Sequence, residues 1–221
     1  MNFCNECGHK VVRKVPKGDN RPRYSCENCD TIFYQNPKII SGTVTIQDNQ
    51  ILLCKRAIEP RYGLWTIPAG FLENKETIEE GCLRETLEET NAEVKIQSLY
   101  AIFNIPQISQ IYMLYLAHLG QQEYGSTTES LEVKLFKEQD IPWDQLAFPF
   151  VPKILKYIFT DIKNNEFPLR IETIEGIQTI LSIASCRLFA KVFILLIIPP
   201  TEIAPIFIPW YPLSLPIKRN L

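Results

Sequence analysis

Gly70-Phe71-Leu72-Glu73-Asn74-Lys75-Glu76-Thr77-Ile78-Glu79-Glu80-Gly81-Cys82-Leu83-Arg84-Glu85-Thr86-Leu87-Glu88-Glu89-Thr90-Asn91-Ala92 joins a turn to a strongly acidic helical pattern. The apolar run Leu64-Trp65-Thr66-Ile67 and the turn signal Pro68-Ala69-Gly70 precede it. Thr77 and Glu80 have the S/T-x-x-E spacing of a capping box, which predicts a helix start there. Asn91 tolerates the left-handed conformation of a C-cap and predicts its end. On that helix Glu85, Glu88 and Glu89 fall at i, i+3 and i+4, within an arc of about 100°. Like charges at that spacing repel, and anions in the last turn oppose the helix dipole. A helix built for stability alone would carry lysine there. Local rules broken on one face point to a missing partner, and a divalent cation is the simplest one.

Outward from this helix, the chain divides at Asn36-Pro37. Lys38 to Ile46 is β-branched, Asp48-Asn49 offers a turn, and Ile51 to Cys54 is again apolar, so residues 38–56 predict a hairpin. Val94 to Phe103, Ile108 to Leu119 and Leu131 to Phe136 read as further strands. Ile154, Leu155, Ile158, Phe159 and Ile162 recur at helical spacing and predict a second helix over 151–163. Strands interleaved with two helices predict an α/β fold, a mixed sheet covered on both faces.

Ahead of the boundary, Cys4-x2-Cys7 and Cys26-x2-Cys29 are separated by eighteen residues, the spacing of a tetrahedral Cys4 zinc site. So short a segment has little core, and metal binding would supply much of its folding free energy. Lys10, Arg13, Lys14, Lys17, Arg21 and Arg23 lie between the knuckles. They read as a solvated basic loop rather than a nucleic-acid surface, because no aromatic residues interleave with them. The remaining cysteines, Cys54, Cys82 and Cys186, form no disulfide framework and imply a reducing compartment. With no apolar leader, a cytoplasmic protein is expected. A net charge of −2 gives no global attraction to nucleic acid or anionic membrane.

After Glu175 the only acidic residue is Glu202, residues 177–198 are mostly apolar, and prolines then crowd the chain. Arg187 and Lys191 argue against a membrane span. An interfacial helix, the end of a disrupted reading frame and an extension dispensable for the chemistry all remain open. The last is the expectation, with residues 1–170 retaining activity on their own and no membrane contact.

Gly70, five residues, Glu76, seven residues, then Arg84-Glu85-Thr86-Leu87-Glu88-Glu89 resembles the Nudix box, G-x5-E-x7-R-E-U-x-E-E-x-G-U. Thr86 occupies the aliphatic position, with Leu87 expected to take over its packing, and Asn91 replaces the late glycine. The resemblance implies a Nudix α/β/α sandwich over residues 37–165, after a zinc ribbon at 1–36 and before an extension at 166–221. It also implies metal-dependent hydrolysis of a nucleoside diphosphate linked to another moiety. Carried over, Glu85, Glu88, Glu89 and the Ala69 or Gly70 carbonyl would hold Mg2+ or Mn2+, besides Zn2+ on Cys4, Cys7, Cys26 and Cys29. Gly70, Glu76 and Arg84 would support them. Glu129 is the candidate general base, with a solvated loop glutamate as the equal alternative. Arg56 would contact a phosphate or be an ordinary surface arginine; Phe71, Tyr62 or Trp65 would stack on a base, Trp65 more readily as core. Homodimers are frequent in such a family, and no stable nucleic-acid partner is implied.

The NADH pyrophosphatase motif S-Q-P-W-P-F-P is absent from Ala101 to Gln110. Pro22-Arg23-Tyr24, Gln35-Asn36-Pro37-Lys38, Leu53 to Ala57 and Ile141-Pro142-Trp143 instead resemble a bacterial and plastid group acting on FAD and ADP-ribose. NADH pyrophosphatase and a non-catalytic ligand sensor remain the alternatives.

Overall fold

The computed structural model describes residues 1–121 and 123–175. The apolar segment 177–198, its expected lack of membrane contact and the proline-rich end lie outside the described residues. Among those described, no helix is long and apolar enough to cross a membrane.

The N-terminal unit is a three-stranded antiparallel sheet, β1 (Val11–Lys14), β2 (Arg23–Cys26) and β3 (Ile32–Phe33). Two turns carry the cysteine pairs, and Gly8 (φ 74°) and Asp30 (φ 56°) supply the left-handed residues such knuckles need.

The second sheet begins with the expected hairpin, β4 (Lys38–Gln47) and β5 (Gln50–Arg56), closed by Asp48 and Asn49, both at positive φ. The short strands β6 (Trp65–Thr66) and β7 (Ala69–Phe71) lead into α1 (Ile78–Thr90). The long β8 (Val94–Ile105), β9 (Gln110–Leu119) and β10 (Ser130–Phe136) follow, then α2 (Phe150–Asn164) and β11 (Arg170–Thr173). The order is β10-β5-β4-β9-β8-β11, with β6 on β5 and β7 on β4. β4–β9 and β8–β11 are parallel, so the sheet is mixed.

Alternation along β4 assigns the two faces. Ile40, Val44 and Ile46 join the apolar core with Ile154, Leu155 and Ile158 of α2. Ser41, Thr43 and Thr45 point the other way and are buried under α1. There Thr86 Oγ1 meets Thr43 Oγ1 at 2.8 Å and donates to the Cys82 carbonyl at 2.7 Å. Leu87, expected to replace Thr86 in packing, is instead exposed. The reason is the partner surface, a strip of hydroxyls that a buried threonine can satisfy and a leucine cannot.

The predicted caps are present. Thr77 and Glu80 bond reciprocally at 3.2 and 2.7 Å, and Asn91 adopts φ 54° with its N–H on the Leu87 carbonyl. Trp65 is core, edge-on to Phe136 with ring centroids 4.8 Å apart.

The sheet continues past residue 165, where the extension was expected to begin. β11 pairs with Ala101 to Asn104 of β8, and Arg170 makes two 2.7 Å bonds to the buried Asp161 of α2. A chain cut at residue 170 would divide this strand.

Candidate active site

The site forms where β7 leads toward α1. At Gly70 a Cβ would lie 2.1 Å from Glu85 Oε2 and 2.4 Å from Oε1, so any side chain there would displace the Glu85 carboxylate. Gly42 on the neighbouring strand is the stricter requirement, since its Cβ would meet the backbone Pro68 O and Ala69 Cβ at 2.4 Å. These two absences of side chain let β7 lie close to β4 and let a carboxylate lie close to β7.

Arg84 organises the acids. Its Nε and Nη2 donate to the two oxygens of Glu76 at 3.0 and 2.7 Å, the fork geometry that only arginine provides. Nη1 donates to Glu85 at 2.8 Å and Glu88 at 3.1 Å, and Nη2 reaches the Phe71 carbonyl at 3.1 Å. Glu76 also accepts from the Glu73 N–H at 2.6 Å, bracing the loop between β7 and α1. The Arg84 guanidinium holds the Glu76 carboxyl down at about 2. Its acceptors, Glu76 foremost, raise Arg84 above its ordinary value.

Glu89 is held differently. It accepts from the Ala69 N–H at 2.9 Å, with the Cys54 thiol 3.7 Å away. In the β4–β7 ladder Thr43 N–H bonds Pro68 O and Leu72 N–H bonds Ile39 O, so alternation turns the polar groups of Ala69 away from β4. The Ala69 N–H takes Glu89, and its carbonyl faces the same side. Burial pushes Glu89 up to about 7, with the Glu85 charge adding to the effect and Ala69 and Arg56 opposing it. Burial likewise raises Glu85, against the pull of Arg84. Glu88 is exposed.

A cleft of about 560 Å3 opens over these residues. Arg56, Ala69, Gly70, Phe71, Arg84, Glu85, Glu88, Glu89 and Glu129 line it, while Glu76 acts from behind Arg84. Glu129 is exposed on the turn before β10, close enough to raise Glu85 by its charge, and its carbonyl accepts from the Ala57 N–H at 2.8 Å. Arg56 Nε donates to the Pro60 carbonyl at 2.8 Å, and its guanidinium sits 5.2 Å from the Phe148 ring centroid. Tyr62 is absent from the lining and Trp65 is buried, which leaves Phe71 of the three proposed stacking residues.

The far wall is made by Tyr112, Phe148 and Phe150, none of which belongs to a local site motif. Tyr112 and Phe150 have ring centroids 4.3 Å apart, and Phe148 and Phe150 lie nearly parallel at 6.1 Å. The signal in the sequence is Phe148-Pro149-Phe150 at the start of α2, two aromatics around a proline that fixes the backbone between them.

In the N-terminal unit the four cysteine sulfurs lie within 4.8 Å of one another, with Cys4–Cys29 at 3.6 Å and Cys7–Cys26 at 3.4 Å. Zn–S bonds of about 2.3 Å give a tetrahedron with edges of about 3.8 Å. The cluster fits a zinc ion, and all four expected ligands belong to it.

Residues 37–157, more than half of the chain, match the family model described as NUDIX domain, and residues 2–35 match a zinc-ribbon model described as Nudix N-terminal. The chain belongs to the Nudix family. It is a pyrophosphohydrolase of that type, acting on phosphorus-containing anhydrides. A NUDIX hydrolase from Nitrosomonas europaea of known structure is 48% identical with a TM-score of 0.74, over 79% of this chain and 100% of its own. The ADP-ribose pyrophosphatase of Methanocaldococcus jannaschii is 28% identical over 69% of this chain and 86% of its own. The NAD-capped RNA hydrolase NudC of Vibrio parahaemolyticus is 30% identical over 64% of this chain. The match covers 53% of that protein, so the chain spans about half its length.

Proposed function

We infer that this chain hydrolyses the diphosphate bond of a nucleoside diphosphate-linked compound of the FAD or ADP-ribose type and releases AMP. The observation that carries this reading is the pair of buried carboxylates, Glu85 and Glu89, at the floor of one cleft with both pKa values raised by burial. Two buried acids stay ionised only beside positive charge. Arg84 is already shared among Glu76, Glu85 and Glu88, and does not contact Glu89. The oxygen donors of Glu85, Glu88 and Glu89, with the Ala69 carbonyl, suit Mg2+ or Mn2+. When bound, such a cation neutralises the diphosphate and lowers the pKa of a water.

The chain's own residues do the rest. Glu76 holds Arg84, Arg84 holds Glu85 and Glu88, and the Ala69 N–H holds Glu89, so the acids are aimed before substrate arrives. Glu129 faces the same cleft and is placed to take the proton from the attacking water. Water adds across the P–O–P linkage, leaving a phosphate on each product. Arg56, fixed by Pro60, supplies positive charge for a substrate phosphate. Cys4, Cys7, Cys26 and Cys29 hold a structural Zn2+. No stable nucleic-acid partner is needed for this chemistry.

The ADP-ribose pyrophosphatase relative supports the substrate class. NudC keeps a second reading in view, hydrolysis of an NAD-type dinucleotide. Purified protein with Mg2+ would be given FAD, ADP-ribose and NADH in parallel and AMP release followed. AMP from FAD or ADP-ribose, lost in Glu89→Gln, is the expected result. AMP from NADH alone would favour the second reading. No turnover of any of them, with Glu89→Gln behaving as wild type, would sink the enzymatic reading in favour of a ligand sensor.

A further inference from the structure

Asn91 does two separate things at the end of α1. Its backbone adopts φ 54° and its N–H bonds the Leu87 carbonyl, which closes the helix. Glycine reaches that left-handed conformation at lower cost, so the cap alone gives no reason for a side chain. The side chain leaves the helix altogether. Its Nδ2 donates at 3.2 Å to the carbonyl of Ser126, 35 positions further on. Beside it the Gly125 N–H donates at 2.8 Å to the Thr90 carbonyl, one of the last-turn carbonyls that a helix cannot satisfy by itself. Two consecutive residues at the helix end thus hold two consecutive residues of the segment before β10.

That segment carries Glu129. Thr127 Oγ1 accepts from the N–H groups of Glu129 and Ser130 at 3.1 and 3.2 Å, and the Thr127 N–H donates to the Ser130 carbonyl at 3.0 Å. These bonds fold residues 127–130 into a tight turn. The Glu129 carbonyl is tied at 2.8 Å to the Ala57 N–H, just after β5. The backbone around Glu129 is therefore held on one side by a strand and on the other, through Ser126, by the helix. Where the turn sits decides where the Glu129 side chain can reach. The Asn91 bond spans the two halves of the site: Glu88 and Glu89 lie three and two positions before Asn91, and Glu129 lies three positions after Ser126.

We propose that Asn91 is a positioning residue for Glu129, its amide fixing the turn that carries the base to the end of the helix that carries the acids. The effect on rate rests on the reading of Glu129 as the base; the bond itself does not. Glycine at this position caps α1 and leaves the turn free on that side. Aspartate keeps the shape of the side chain but has no donor for a carbonyl.

The test compares full-length wild type with Asn91→Gly, Asn91→Asp and Glu129→Gln. AMP release from the dinucleotide that wild type turns over is measured against substrate and against Mg2+, and amide exchange is followed by mass spectrometry. In Asn91→Gly kcat is expected about fivefold lower, a change within the reach of one ordinary hydrogen bond. KM and the Mg2+ concentration giving half-maximal rate should hold, and only the amides of residues 125–130 should exchange faster. Should glycine lower the melting temperature, Asn91→Asp carries the comparison. Adding Asn91→Gly to Glu129→Gln should lower kcat no further, since the group it positions is already gone. With Glu129→Gln impaired, an unchanged kcat in Asn91→Gly overturns the proposal. So does a fivefold loss that persists in the double variant, or a higher Mg2+ requirement, either of which would put the effect on the acids of α1. Faster exchange over 125–130 with Glu129→Gln as active as wild type upholds the bond and overturns Glu129 as the base. Without turnover of any dinucleotide the hydrolytic reading fails, and exchange that is unchanged in Asn91→Gly overturns the bond as well.

Discussion

Arg84 concentrates four jobs in one guanidinium: two bonds to Glu76, one each to Glu85 and Glu88, and one to the Phe71 carbonyl. Lysine keeps the charge but cannot span these acceptors. Arg84→Lys is expected to fold and to lose about 10–100-fold in kcat, the usual loss when a group behind a ligand is removed; steady-state AMP release measures it. Glu76 gives a pH prediction. Its folded pKa is depressed from 4.5 to about 2, so its contribution to stability is fully present above about 4.5 and is lost as pH falls toward 2. Melting temperatures of wild type and Glu76→Gln should differ most above that range and converge below it. A difference that grows on acidification would contradict the pairing. The identity of these residues was legible because the box spacing is local. That Glu89 answers to Ala69 rather than to Arg84 was not, because the Ala69 N–H becomes available only through the β4–β7 register.

At the scale of the element, α1 is stabilised at its ends and held by polar groups along its length. Thr77→Ala removes the cap bond to Glu80 and is expected to cost about 0.5–2 kcal/mol, read by chemical denaturation. Thr86→Val is the more telling change. It leaves the buried Thr43 hydroxyl without its helix partner, an expected loss of about 1–3 kcal/mol, whereas Leu87→Ala should stay within about 0.5 kcal/mol. The capping box and Asn91 could be read from residues alone, since caps are settled within a few positions. Which face of the helix is buried could not. It depends on β4 presenting hydroxyls at 41, 43 and 45 and apolar side chains at 40, 44 and 46.

For the whole molecule, β11 decides where the catalytic unit ends. Arg170 packs between the rings of Tyr100 and Tyr157, with centroids 5.3 and 4.5 Å away, and binds Asp161 of α2 through both nitrogens. A chain ending at Glu175 is expected to keep fold and activity. One ending at Leu169 leaves Asp161 buried without its cation and should be roughly 3–5 kcal/mol less stable, as denaturation of the two truncations would show. Chelation of the zinc ribbon should remove hydrogen-exchange protection from residues 2–35 and leave β4 and β9 protected, because the two sheets share no strand.

The ribbon cysteines, the capped helix, the register of its glutamates and the hairpin ahead of it are all written in the residues alone. Each depends on spacing within a short segment, and helix period, strand alternation and metal-ligand geometry convert such spacing directly into shape. Tertiary structure alone decided the rest. It seated Thr86 in place of Leu87, extended the sheet to Thr173, and brought Phe71, Ile40 and Tyr112 into one row. Those pairings join residues tens of positions apart, and strand register, which no local pattern encodes, chose among them.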